Sequence, residues 1–330
     1  MSHPLTTCPD CQAELDRRDF LKGVGGALAV GASAPLWTTL PGAYAAPTSS
    51  SPAETAVQEF YQTLNETQRQ AICFPYEHEL RKRISANWHV TKPRIGDDFF
   101  SQEQRGLITK ILRGATSEDG YQKLLQQTEY DNGGINYYSV AVFGQPGQGK
   151  FEFEVTGRHL TLRVDGDSAD HAAFGGPIVY GHGLEGNPQE NLYYYQTRQT
   201  NAVFQALDEG QRKRALLAKA PPEAAVALQG PQGSFPGIPV KELTPDQRQL
   251  VEETLQVLLA PYRSEDVEEV MAILKASGGV ESLHMAFYEQ GDLKSDKVWD
   301  IWRVEGPSFV WHFRGAPHVH AYINIGGVKG

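Results

Sequence analysis

Trp299-Asp300-Ile301-Trp302-Arg303-Val304-Glu305-Gly306 leads through Pro307 into Ser308-Phe309-Val310-Trp311-His312-Phe313. Apolar and polar residues alternate on both sides of the Gly-Pro step, which is the period of two adjoining strands around a turn. The same cadence occurs upstream, where Phe151-Glu152-Phe153-Glu154-Val155-Thr156-Gly157 leads into His159-Leu160-Thr161-Leu162-Arg163-Val164. Aligning Gly157 with Gly306 superposes the two hairpins.

A second signature repeats ahead of each hairpin. Leu64-Asn65-Glu66-Thr67-Gln68-Arg69, Phe100-Ser101-Gln102-Glu103-Gln104-Arg105, Leu207-Asp208-Glu209-Gly210-Gln211-Arg212 and Leu243-Thr244-Pro245-Asp246-Gln247-Arg248 share one pattern. Each places a short polar residue three positions before Gln, which is a capping box and predicts a helix start. Asn65 to Ser101 spans 36 residues, and so does Asp208 to Thr244. Helices followed by antiparallel strands, twice over, make the expected class α+β. Two fused helix-plus-antiparallel-sheet repeats, 46–200 and 201–330, are expected to relate by a pseudo-twofold and to pack as one globular unit.

In chain order, helices are expected over 53–72, 102–113, 118–127, 197–206, 209–219, 246–259 and 265–276. Strands are expected over 136–143, 151–156, 159–164, 169–174, 282–289, 298–304, 308–313 and 318–324. Asp165-Gly166 reads as a type I′ turn between two of them. The segment Gly175-Gly176-Pro177-Ile178-Val179-Tyr180-Gly181-His182-Gly183 reads as loop with a short strand. No βαβ alternation calls for a parallel sheet. Glu152 and Glu154 read as an exposed strand face, and the tryptophans as core.

Residues 1–45 read as a twin-arginine signal peptide. Arg17-Arg18-Asp19-Phe20-Leu21-Lys22 precedes a Gly/Ala-rich run, and Ala43-Tyr44-Ala45 offers a cleavage pattern. The expected location is periplasmic or otherwise exported, without membrane insertion after cleavage, since the run is too short and glycine-rich to span. Cys8 and Cys11 would leave with the signal, and Cys73 reads as a small buried hydrophobe. The net charge of −10 argues against nucleic acid as a partner. There is no phosphate-binding glycine loop and no Gly-x-Ser-x-Gly elbow. A small-molecule substrate or ligand is the expected partner.

The chemistry concentrates near the C-terminus. In Val310-Trp311-His312-Phe313-Arg314-Gly315-Ala316-Pro317-His318-Val319-His320-Ala321-Tyr322, three of the ten histidines fall within nine residues. His318 and His320 share a strand face, so two imidazoles on one rigid element form half of a metal site. His159, just past the turn of the other hairpin, is positioned to be the third ligand if the hairpins meet. Tyr322, on the same face, is a further candidate for the shell, and His182 and His312 are weaker candidates. One ion of copper, iron or zinc fits such a donor set. The functional expectation is a small-molecule oxidoreductase or a metal-assisted hydrolase. The alternatives are a non-catalytic binding protein whose histidines are structural, and a metal carrier.

Tyr138-Ser139-Val140-Ala141-Val142-Phe143-Gly144-Gln145-Pro146, Gly157-Arg158-His159-Leu160, the Gln-Arg boxes, Phe74-Pro75, Gly306-Pro307 and His318-Val319-His320 carry a resemblance. Over roughly residues 55–325 the chain resembles the bacterial domain of unknown function 3500 family. The resemblance singles out His159, His318 and His320. It departs from the family pattern at Arg158, at His182 and after His320, and it implies no reaction.

Overall fold

Each of the four Gln-Arg boxes opens a helix. Asn65, Ser101, Asp208 and Thr244 accept from the amide of the glutamine three residues on, and that glutamine's side chain returns to the cap amide. The equal spacing has a physical reason. Gln68 and Gln104, 36 residues apart, exchange amide hydrogen bonds of 2.9 and 3.0 Å. Gln211 and Gln247, also 36 apart, do so at 3.1 and 2.8 Å. Arg69 then reaches back to the carbonyls of Leu64 and Tyr61, and Arg212 to those of Phe204 and Gln205. These are carbonyls at helix ends, where the last turn lacks its full set of intrahelical partners, so the boxes tie each helix start to the end of the helix before it.

The computed structural model describes residues 46–184, 191–292 and 295–327. The twin-arginine segment and the Cys8/Cys11 pair lie outside the described residues. Within these are helices α1 Pro52–Thr63, α2 Glu66–Ile72, α3 Gln102–Gly114, α4 Glu118–Asn132, α5 Tyr194–Ala206, α6 Glu209–Ala215, α7 Pro245–Leu259 and α8 Ser264–Ala276. The strands are β1 Cys73–Phe74, β2 Ser139–Gly144, β3 Phe151–Gly157, β4 Leu160–Val164, β5 Ile178–His182, β6 Leu216–Leu217, β7 Ile238–Pro239, β8 His284–Tyr288, β9 Ile301–Gly306, β10 Phe309–Arg314 and β11 Val319–Ile325. They form one 11-stranded sheet of order β1-β2-β3-β4-β5-β11-β10-β9-β8-β6, with β7 beside β8. The class is α+β, with a mixed sheet.

Strand alternation gives this sheet two unlike faces. One carries Phe153, Leu162, Tyr180, Trp302, Trp311 and Phe313, and the apolar residues of all eight helices close on it. Burying aromatics of this size, each worth about 1.5–3 kcal/mol or more when withdrawn from water, makes this the main core. The other face is polar yet also buried, because loop segments around residues 76–95 and 220–229 lie over it. Ala86, Val226 and Tyr322 pack together there, as do Trp88, Val90 and Phe143. The centre of the sheet is the antiparallel pair β5–β11, in which Ile178 faces Ile323, Gly181 faces His320 and His182 faces Val319.

Several sequence expectations are corrected. Residues 53–72 form two helices, because the Asn65 cap restarts the chain after Leu64. Residues 169–174 are turn and 3₁₀ helix rather than strand, and the strand of that half is Ile178–His182. Asp165-Gly166 therefore does not close a hairpin. Buried Asp165 instead accepts from the Ala169 amide at 2.7 Å. The helix read over 209–219 ends at Ala215, and β6 follows it. Two short parallel pairings occur, β1 with β2 and β6 with β8.

The largest correction concerns Glu152 and Glu154, both wholly buried on the polar face. Glu152 accepts from Arg163 at 2.5 Å and from Arg81 at 3.1 Å. Arg163 also donates to the carbonyls of Pro177, Arg81 and Arg83. An irregular covering loop offers carbonyls to a guanidinium, so charge survives burial here where a helical cover would leave it unpaired.

Candidate metal centre

The site assembles where the β3–β4 hairpin meets the start of β11. Arg158-His159 is the two-residue turn of that hairpin, and His159 takes a left-handed φ of 55°. A non-glycine residue rarely holds that conformation without support. Support comes from three sides. The His159 amide donates to Ala86 at 2.5 Å, its carbonyl accepts from Gln127 at 3.3 Å, and the Tyr138 hydroxyl holds the Arg158 carbonyl at 2.7 Å. The imidazole is thereby fixed, and only 4% of the residue is exposed. His318, just before β11, and His320, within it, flank Val319, which is buried on the helix side.

The three rings converge. Ring centroids lie 5.2 Å apart for His159–His318, 4.7 Å for His159–His320 and 4.7 Å for His318–His320. One ring nitrogen from each residue falls within 4.8 Å of the others. His318 Nε2 and His320 Nε2 are 3.1 Å apart. Two nitrogens on one tetrahedral ion with bonds of about 2.0–2.1 Å sit about 3.3 Å apart. The His318–His320 pair thus already has a chelating separation.

Two carboxylates, buried Asp131 and partly exposed Glu223, set the tautomers. Asp131, at the end of α4, places Oδ2 2.9 Å from His159 Nδ1, while its Oδ1 accepts from the Gly183 amide at 2.5 Å. Glu223 Oε2, from the covering loop, lies 2.6 Å from His320 Nδ1. A carboxylate at Nδ1 accepts a hydrogen bond from Nδ1–H, which keeps the proton there and leaves the Nε2 lone pair free to bind. Arg314 can only donate, and its Nη2 lies 3.3 Å from His318 Nε2, so that nitrogen too presents its lone pair. The three rings are so placed that they could hold one metal ion.

Burial lowers the His320 pKa against the opposing hydrogen bond to Glu223. For Glu223, burial works upward, but the hydrogen bond and charge of His320 and the charge of Arg314 outweigh it, and its pKa falls below the ordinary carboxylate value. Arg314 Nε pairs with Glu223 Oε1 at 2.6 Å, and Arg158 Nε lies 3.7 Å from Asp131 Oδ1. Two carboxylates and two guanidiniums balance around the imidazoles, so a bound divalent ion adds its full charge to the site.

The other candidates fall outside this cluster. His182 points to the helix side, accepts from the Leu192 amide at 3.1 Å and lies 3.3 Å from Asn191 Oδ1. His312 is wholly buried beside Arg303, and burial first, then the Arg303 charge, lowers its pKa to about 4. Tyr322 sits on the same face but its ring is 6.5 Å from that of His320, and it hydrogen-bonds the Ala86 backbone. Cys73 is free and half-buried, and burial pushes its thiol up to about 11, so it is no ready nucleophile.

Asp131, Glu223 and Arg314 were not singled out from sequence. Asp131 hides in the helix-ending run Tyr130-Asp131-Asn132-Gly133-Gly134, and Glu223 in a Pro-led loop. Arg314 had one available signal, its place six residues before His320 across a Gly/Pro turn, which makes it the cross-strand partner of His320. No curated protein and no solved structure matches the chain. A family model does match, over residues 47–323, and His159, His318 and His320 all fall within that span; the chain belongs to the family described as Protein of unknown function (DUF3500).

Proposed function

We propose that His159, His318 and His320 hold one metal ion and that the protein is an exported metal-assisted hydrolase acting on a small molecule. The observation that carries this reading is the pairing of the His159 and His320 Nδ1 atoms with carboxylates, beside a His318 Nε2 that lies 3.1 Å from His320 Nε2, with one ring nitrogen of each histidine within 4.8 Å of the others. Three neutral imidazoles with an open fourth position are the donor set of catalytic zinc, and imidazole also suits copper and iron. Such an ion supplies Lewis acidity toward a bound water or carbonyl. This chain's own residues orient the rings, keep them neutral and place the Arg314 guanidinium beside the centre. A fixed cation there favours developing negative charge over electron transfer, which is why hydrolysis is preferred to the redox alternative.

Export rests on the twin-arginine motif at Arg17-Arg18. A duplicated origin is part of the same proposal. Read from either edge, the strand order presents the same plan: a short parallel strand, then four antiparallel ones, ending at the β5–β11 centre. The reciprocal glutamine pairs recur in each half. In this reading Pro307-Ser308 corresponds to Arg158-His159, so only one hairpin carries a ligand and the centre lies off the pseudo-axis.

The test is an assay of purified protein, stripped of metal and reloaded with zinc, copper or iron, against panels of esters, phosphoesters and amides. Hydrolysis that needs metal and is lost in His159→Ala supports the reading. A metal-loaded protein that instead turns over only redox substrates would replace it with the oxidoreductase reading.

A further inference from the structure

Arg314 occupies an unusual place for a cation. It sits on β10 opposite His320, is only 16% exposed at its side chain, and is anchored through Nε to Glu223 Oε1. Its Nη2 is then free to point at His318 Nε2, 3.3 Å away. A guanidinium neither accepts a hydrogen bond nor loses its proton, so its partner must supply an acceptor lone pair. When an ion takes the His318 lone pair, Nη2 loses that acceptor and is left close to a second positive charge. An anion held by both resolves the two demands together: one oxygen binds the ion, and a second accepts from Nη2.

Charge around the site points the same way. Asp131 and Glu223 are already committed to His159 and His320 and are matched by Arg158 and Arg314. The histidines bring no charge, and among the described residues no carboxylate joins them in the candidate metal group, so a divalent ion keeps its charge there. Arg158, 45% exposed at its side chain and adjoining His159 in the hairpin turn, adds a second guanidinium at the rim. Gly183 makes room for it, since a Cβ there would lie 2.7 Å from the Arg158 Nη2. Planar oxyanion recognition is the task to which guanidinium is best matched.

We propose that the metal centre binds an oxyanion, the carboxylate or phosphoryl group of its substrate, with Arg314 as the residue that holds it against the ion. This rests on the three-histidine reading above, and the experiment separates the two. The protein is loaded with cobalt(II), whose visible spectrum reports its ligands, and titrated with inorganic phosphate and with acetate. The wild type is expected to change spectrum and saturate with one or both. Arg314→Gln should bind the anion at least tenfold more weakly while holding cobalt within about threefold of wild type.

If Arg314→Gln fails to hold cobalt, Arg314→Lys decides. It keeps the charge but not the fork, and at least threefold weaker anion binding supports the proposal, whereas unchanged binding overturns it. Phosphate tighter than acetate assigns a phosphoryl group, and the reverse assigns a carboxylate. A cobalt-loaded wild type whose spectrum ignores both anions overturns the oxyanion proposal and leaves the metal site standing. A protein that takes up no cobalt overturns both.

Discussion

Glu223 Oε2 stands 2.6 Å from His320 Nδ1, across 97 residues of sequence, and thereby fixes which nitrogen of that histidine faces the site. An unlinked surface glutamate would do none of this. The contact turns a half-exposed loop residue into part of the centre's geometry.

Removing that carboxylate is therefore expected to weaken metal binding without removing a ligand. Glu223→Gln should lower affinity by roughly 10–100-fold, the usual cost of losing an outer partner of a metal-bound histidine. Competition against a chelator of known affinity measures it. Unchanged affinity would mean that His320 is oriented by its strand alone.

His159 allows strain and ligation to be separated. Its φ of 55° suits glycine better than alanine. His159→Gly and His159→Ala should both lose tight metal binding, yet the glycine variant should unfold about 1 kcal/mol later than the alanine variant. Equal denaturation midpoints would remove the inference that this turn stores strain for the sake of the ligand.

The glutamine pairs should act as coupled units. Gln104 accepts from the Ser101 amide and donates to Gln68 and Thr63. Gln104→Ala is expected to cost about 1–3 kcal/mol, combining a lost cap with stranded partners. A double-mutant cycle with Gln68→Ala should return a coupling near ~1 kcal/mol. Strict additivity would show the reciprocal bonds to be incidental.

Glu154 sets a direction for stability against pH. Its carboxyl is buried beside Glu152, with Arg163 Nη2 at 3.1 Å but without hydrogen-bond geometry. Burial first, and the Glu152 charge in addition, outweigh the charges of Arg163 and Arg81 and raise its pKa to about 8. The folded state thus keeps a proton that the unfolded chain releases near pH ~4.3. The stability linked to this group is full below that pH and declines as pH rises toward about 8. Relative to Glu154→Gln, the wild type should lose stability steadily across that window. Parallel pH profiles of the two proteins, by urea unfolding, would contradict the assignment.

The sequence made the helix starts legible because a capping box is a local hydrogen-bond device with fixed spacing, and all four formed. The hairpins were legible for the same reason, since alternation alone decides them, and His318 joins His320 although it stands one residue before β11. Asp131 and Glu223 were not, because their partners lie 28 and 97 residues away and no periodicity links them. Strand β5 was legible only as a short strand within a loop, because Gly175-Gly176 precede it and Gly181 interrupts it. The polar face misled most. Glu152, Glu154 and Arg163 have the alternation of a solvated strand, and only the loop carbonyls of Arg81 and Arg83 make their burial affordable.

The central claim is that three histidines hold one ion, and elemental analysis of purified protein beside a His318→Ala/His320→Ala double variant tests it most directly. Near one equivalent of zinc, copper or iron per chain in the wild type, absent from the variant, is the expected result, and it names the metal. A metal-free wild type that gains no thermal stability from added ions would contradict the claim, as would metal retained in full by the double variant.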